Sequence, residues 1–173
     1  MEIRLACEED FETVKEFYAV TTDLMQEREH KAGWKKGIYP SYEFMKQTIA
    51  THTMYTGMLD GVCVAAAVLD HNTTEGYEKV AWAVDALPEE VSVIHALGIH
   101  PNYQRQGLSK KLVQALLDIA RANGQKAVRL DVLHDNLPAH NLYKKMGFVY
   151  RDTLQLYYED TGLTDFLLYE YVL

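Results

Sequence analysis

The loop Gln104-Arg105-Gln106-Gly107-Leu108-Ser109 is the stretch of this sequence best suited to hold a ligand. It runs into an amphipathic segment and so delivers a series of backbone N–H groups to the start of a helix. Unpaired amides and the helix dipole there both favour negative charge. Two side chains on either side of it can move a proton. The imidazole of His95 exchanges one near neutral pH, and the phenol of Tyr143 is a hydrogen-bond donor.

The elements that must position these groups follow from the pattern of apolar residues. Val93, Ile94, Ala96, Leu97 and Ile99 form a short apolar run, which suits a strand covered on both faces. Pro101 and Asn102 stop it. After Gly107, the residues Leu108, Leu112, Val113, Leu116, Ile119 and Ala120 recur at helical spacing, and Asn123-Gly124 ends the helix. The loop is not a P-loop, because it lacks the first glycine and the Gly-Lys-Ser/Thr ending. Nor does it carry the G-x-G-x-x-G of a dinucleotide site.

With its preceding apolar strand and His-Pro, the loop resembles the acyl-CoA-binding motif of the GNAT acetyltransferase superfamily, Gln/Arg-x-x-Gly-x-Gly/Ala. Gln104 and Gly107 match, and Ser109 stands where the family prefers glycine or alanine. One strand later, Asn136-Leu137-Pro138-Ala139-His140-Asn141-Leu142-Tyr143-Lys144-Lys145-Met146-Gly147-Phe148 is similar to the family's Asn-x-x-Ala-x-x-Leu-Tyr-x-Lys-x-Gly-Phe. The resemblance implies an α/β fold with a mixed, mostly antiparallel sheet flanked by helices and splayed between its fourth and fifth strands. It implies a single domain over residues 1–173 and an N-acetyltransferase that moves an acetyl group from acetyl-CoA to a primary amine, without a covalent intermediate. A small amine is the expected acceptor, with a protein N-terminus or lysine as the rival. A non-catalytic acyl-CoA sensor or subunit is the alternative class, and a homodimer is compatible with the family.

By the same resemblance, cofactor contacts fall to Leu97, Gly98, Ile99, Gln104, Arg105, Gln106, Gly107, Leu108, Ser109, Asn136 and Tyr143. Acetyl transfer needs a polarised carbonyl, a neutral amine and a protonated leaving thiol. Backbone amides near Leu97, Gly98 and Ile99 are assigned the first service and Tyr143 the last. His95 is the expected base, because a regular strand would place it on the same face as Leu97. Some relatives carry a histidine at that place, and others use a carboxylate or water. Asn136 is also a good helix N-cap. His100 reads as structural, while His134 and His140 could face the cofactor mouth. The seven histidines show no metal-ligand spacing, so no metal site is expected.

Composition narrows the field further. The formal charge of −8 argues against nucleic acid as the main partner. No apolar run approaches the ~20 residues that cross a bilayer. The start MEIRLACEED is unlike a signal peptide, so a cytoplasmic location is expected. Cys7 and Cys63 read as two reduced thiols in strands.

In chain order, Ile3 to Cys7 reads as a strand and the following residues to Met25 as a helix. Gln26 to Ser41 is a loop that is locally basic from Arg28 to Lys36; its Trp34 and Tyr39 are expected to wall the acceptor pocket. Ser41 caps a helix to about Ala50. Met54 to Leu59 and Val62 to Leu69 flank Asp60-Gly61, a hairpin turn. The segment from Asp70 to Pro88 has no clear period; Trp82 within it is expected at the acceptor site. Ala127 to Leu133 is the fifth strand, and Phe148 to Tyr157 with Phe166 to Val172 makes a final hairpin.

Overall fold

A computed structural model describes residues 1–26 and 32–173, so the Arg28 to Lys31 part of the basic loop lies outside the described residues. Seven strands form one sheet in the order β1-β2-β3-β4-β5-β7-β6. They are β1 (Glu2–Leu5), β2 (Met54–Leu59), β3 (Val62–Asp70), β4 (Val91–Ile99), β5 (Ala127–Leu133), β6 (Val149–Tyr158) and β7 (Gly162–Val172). Every neighbouring pair is antiparallel except β4 with β5. That parallel pair is joined by a crossover through α3 (Leu108–Ala122).

Two helical layers cover the sheet. Leu108, Leu112, Val113, Leu116, Leu117 and Ala120 of α3 pack with Tyr143 of α4 (Leu137–Lys145) on Val64, Ala65, Ile94, Val128 and Leu130. Among the larger α3 residues, Leu112, Val113, Leu116 and Leu117 are fully buried. Each such side chain contributes roughly 1.5–3 kcal/mol of burial energy. On the opposite face α1 (Phe11–Met25) and α2 (Tyr42–Ala50) pack Val14, Phe17, Tyr18, Met45 and Ile49 on Met54, Ala66, Val68 and Ala96. The Ser41 Oγ caps α2 by accepting from the Phe44 N–H at 3.1 Å. The segment between β3 and β4 makes a third, smaller core from Tyr77, Val80, Val93 and Leu168.

Cys7 departs from expectation. β1 ends at Leu5, and Cys7 is an exposed residue ahead of a short 3-10 turn, with its Sγ 3.2 Å from Asp10 Oδ2. The reason is local: Arg4 and the Cys7 N–H both bond the Asp10 carboxylate, which bends the chain out of the strand. Cys63 is buried, and both thiols are free.

Candidate active site

Two departures from regularity make the site. First, β4 and β5 pair only from Val91 to Val93, opposite Ala127 to Arg129. Beyond that the strands separate, although β4 continues to Ile99 and β5 to Leu133. Second, β4 is bulged. Ala66 pairs with Gly98 and Val68 with His95, so Ala96 and Leu97 together face Ala67, and Ala96 takes φ 50°. A left-handed alanine costs ~1–2 kcal/mol. The carbonyl it turns out of the ladder accepts from the Tyr18 hydroxyl at 2.8 Å.

The bulge corrects the expectation that His95 and Leu97 share a face. Ala96 packs with the α1 core, while Leu97 packs with the α3 core. His95 points to the α1 side, with Nε2 3.2 Å from Asp70 Oδ1 and 3.1 Å from Asn72 O. One extra residue reverses the alternation.

The opening holds two spaces that meet at Ala32, Leu97, Asn136 and Ala139. The outer one is a groove of about 360 Å³ lined by Leu97, Gly98, Ile99, Gln104, Arg105, Leu108, Ser109 and Asn136 among others. The His100 N–H donates to Val64 O, so by antiparallel alternation the amide of Ile99 points away from β3, into the opening. The groove ends at the start of α3. Its N-cap, Gly107, has φ 76° and no side chain to bond the first amides, and the first helical bond there is Lys111 N–H to Gly107 O. Arg105 also has positive φ, at 63°, so the loop alternates backbone hands and turns its amides to one side. A helix start without a cap, beside exposed Arg105, Lys110 and Lys111, suits the phosphates of an acyl-CoA. Gln106 and Gly107 are exposed and are not among the groove's lining residues.

The inner space is a cavity of about 120 Å³ lined by aromatic and acidic groups, Trp34, Tyr39, His95, Asp131, Tyr143, Tyr158 and Asp160. Tyr143 is 6% exposed and stacks edge-on against Phe148 at 5.4 Å. Its hydroxyl has no hydrogen-bond partner among the described residues. Burial, and then the Asp131 charge, hold this phenol in its protonated form. Asn136 caps α4 by accepting from the Ala139 N–H at 3.3 Å and also lines both spaces.

Trp34 and Tyr39 come together here, with ring centroids 6.5 Å apart. Trp34 explains Gly98: a Cβ on that glycine would stand 3.1 Å from the indole. Gly33 likewise meets the turn between β6 and β7, where a Cβ would lie 2.6 Å from Thr161 Cγ2. The loop and the hairpin therefore roof the cavity together. Trp82 lies elsewhere. Its indole faces the Arg129 guanidinium at 4.3 Å and donates to Tyr77 O at 2.8 Å, and it is not among the residues that line the inner cavity. His100 Nδ1 accepts from the Asn102 N–H, closing a 3-10 turn. His140 is buried: its Nε2 bonds the carbonyls of Leu133 and His134, and its Nδ1 accepts from Tyr169.

Asp131 is the residue that sequence reasoning missed. It faces the cavity from β5, and its Oδ2 accepts from Tyr77 at 2.7 Å and Tyr158 at 3.2 Å. Burial pushes its proton affinity up, against these two phenols and the nearby His95. A signal was available in AVRLDVL, where Arg129 and Asp131 place two charges on one face of an otherwise apolar strand. For His95, burial disfavours the imidazolium, but the Asp70 carboxylate outweighs it and the pKa rises above 6.5.

The Acetyltransferase (GNAT) family profile matches residues 14–148. The chain is 30% identical over 124 residues to a Mycobacterium tuberculosis protein named N-alpha-acetyltransferase RimI, covering 72% of this chain and 70% of that one. It is 28% identical over 93 residues to the [Ribosomal protein bS18]-alanine N-acetyltransferase of Escherichia coli, covering 54% of this chain and 63% of that one. The crystal structure of a GNAT-family acetyltransferase from Streptococcus agalactiae superposes with a TM-score of 0.82 at 18% identity, covering 99% of this chain and 95% of that one. With its splayed sheet and uncapped loop-to-helix turn, this chain belongs to the GNAT acetyltransferase family, enzymes that take their acetyl group from acetyl-CoA.

Proposed function

We propose that the chain transfers acetyl directly from acetyl-CoA to a primary amine with no carboxylate beside it, the N-terminal amine of a peptide being the leading acceptor. The observation that carries this reading is the charge of the inner cavity. Asp131 and Asp160 line it, Asp70 stands behind His95, and no Lys or Arg is among the described lining residues. Such a space draws in an ammonium. A free amino acid would bring its own carboxylate into it, with no cation to meet the charge. The names of the two relatives support a peptide amine over the small amine expected from the sequence. A small cationic amine is the second reading, favoured by the cavity's 120 Å³ and by the Gly33–Thr161 roof.

An N-terminal amine with pKa ~8 is neutral in about a tenth of molecules at pH 7, against roughly one in a few thousand for an alkylamine. In both cases a proton must leave. The Asp131 Oδ1, which neither phenol occupies, receives it. His95, expected as the base, acts better as a fixed charge: paired with Asp70 it favours the imidazolium, which has no lone pair to offer and which favours the ionised form of Asp131 against burial. When bound, acetyl-CoA supplies the activated thioester. The amides at the start of α3 and at Ile99 are suited to hold its phosphates and its amide-bearing arm. Tyr143 delivers its phenolic proton to the departing sulfur. Neither cysteine lines the cavity, in keeping with direct transfer.

Mass spectrometry after incubation with acetyl-CoA and a panel of acceptors tests the reading. The panel holds an alanine-initiated peptide, a diamine, an arylalkylamine and free alanine. The peptide is expected to gain an acetyl group, and the Tyr143→Phe protein is expected to leave it unmodified. Product from the amines alone would select the second reading, and acetylation of free alanine as fast as the peptide would overturn both.

A further inference from the structure

We propose that Tyr77, carried by the segment between β3 and β4, is a positioning residue for the transfer: with Tyr158 it holds Oδ2 of Asp131 and so presents Oδ1 to the acceptor amine. The inference rests on the reading of Asp131 as proton acceptor. Two phenols from different elements converge on one oxygen of one carboxylate, at 2.7 and 3.2 Å. Tyr158 comes from the edge hairpin and is itself tied to Thr74 of the β3–β4 segment at 2.8 Å. Tyr77 comes from that segment, where it occupies a 3-10 turn and is 3% exposed.

What makes this more than a chance contact is the anchoring of the segment. Glu170 of β7, wholly buried, bonds Arg129 Nε at 3.1 Å and accepts from the Ala83 N–H at 2.8 Å, and Arg151 approaches its other side at 3.0 Å. Arg129 in turn donates to Val84 O at 2.7 Å and lies over the Trp82 ring. Trp82 then donates to Tyr77 O and packs on the Tyr77 ring, centroids 5.4 Å apart. A chain of ion pair, stacked cation and indole thus ends on the phenol that orients Asp131. A surface insertion has no need of a buried ion pair to hold it down. A group that must aim one carboxylate oxygen does.

The other groups facing Asp131 are His95 of β4, with Asp70 behind it, Tyr143 of α4, Tyr39 of the 32–41 loop, Asp160 of the β6–β7 turn and Arg129 on its own strand. Removing the Tyr77 hydroxyl leaves all of them in place. It takes away a bond that favours the charged carboxylate, so the Asp131 proton affinity must rise.

Carbon-13 NMR titration of aspartate-labelled full-length protein reads this without an acceptor, with the Asp131 resonance assigned by its loss in Asp131→Asn. In Tyr77→Phe the Asp131 midpoint is expected to move up by about one pH unit, a tenfold change in proton affinity. The acidic limb of kcat/KM is expected to move with it. An unmoved midpoint in a folded Tyr77→Phe protein would overturn the proposal. Should that variant not fold, Tyr158→Phe removes the other phenol from the same oxygen, with an upward midpoint shift again expected and no shift overturning. If Asp131→Asn keeps wild-type turnover, the proton-acceptor reading falls and the proposal with it. If Asp131→Asn is inactive and the Tyr77→Phe midpoint does not move, only the proposal falls.

Discussion

The hydroxyl of Tyr18, on the first helix, donates to the carbonyl of Ala96, 78 residues later in the chain, at 2.8 Å. The acceptor belongs to the residue whose left-handed conformation bulges β4. Tyr18 thereby satisfies a carbonyl that the ladder has lost and holds the irregularity that directs His95 to one face and Leu97 to the other. Tyr18→Phe is expected to cost about 1–2 kcal/mol, measured by urea unfolding. Acetyl-CoA affinity should fall as well, because the groove-lining end of β4 relaxes. Unchanged stability together with unchanged affinity would mean that the bulge is held by other contacts.

Tyr143→Phe removes one oxygen and no packing surface. If the phenol donates to the departing thiolate, kcat should fall by about 10²–10⁴ while the unfolding midpoint and the acetyl-CoA Kd stay near those of the parent. Steady-state kinetics beside calorimetric titration separates the two. A parallel loss of binding and turnover would make Tyr143 a packing residue of the groove.

Gly98 leaves room for Trp34, which lines the inner cavity. A methyl there would lie 3.1–3.2 Å from the indole, which is wedged by Tyr18 on one side and Tyr39 on the other and has little room to yield. Gly98→Ala is expected to lower stability by about 1–3 kcal/mol. It should also raise the acceptor KM more than the acetyl-CoA KM. Equal changes in both constants would argue that the glycine serves the cofactor side instead.

The His95–Asp70 pair makes a pH signature. Burial opposes charge on both groups, yet their mutual bond wins, so His95 is raised above 6.5 and Asp70 is lowered below 3.8. The histidine's contribution is therefore complete below its unfolded value and is lost as pH rises through the higher folded one. The aspartate's is present above its unfolded value and fades as pH falls through its folded one. Unfolding measured from pH 3 to pH 9 should show His95→Gln at its greatest disadvantage between these limits and closing on the parent protein above neutrality. A constant difference across the range would mean that the imidazole is neutral throughout.

Much of the scaffold could be read in advance because it repeats. The α3 stripe from Leu108 to Ala120 and the strand Ala127 to Leu133 follow the spacing of their elements, and Gln104 and Asn136 of the paired motifs both line the outer groove. What escaped is aperiodic. Nothing in His95-Ala96-Leu97 announces a bulge, because an alanine in a left-handed conformation is held there by a tyrosine far away in the chain. The β3–β4 segment has no period because its residues act singly, Tyr77 on Asp131 and Trp82 on Arg129. Trp82 illustrates the ambiguity: an aromatic residue in an irregular segment can anchor the segment as readily as line a pocket. Asp131 is hard to single out because its strand, AVRLDVL, reads as core.

The parting of β4 from β5 after Val93 has a mechanical consequence. The sheet is two ribbons sewn together by a few stitches at one end, with α3 as the strap between them. Any molecule that lies along the unsewn edges and matches their donors and acceptors acts as a splint, adding rungs where the protein has none. Loading with donor should therefore stiffen the seam more than the rest of the fold, slowing amide exchange first at the free ends of β4 and β5.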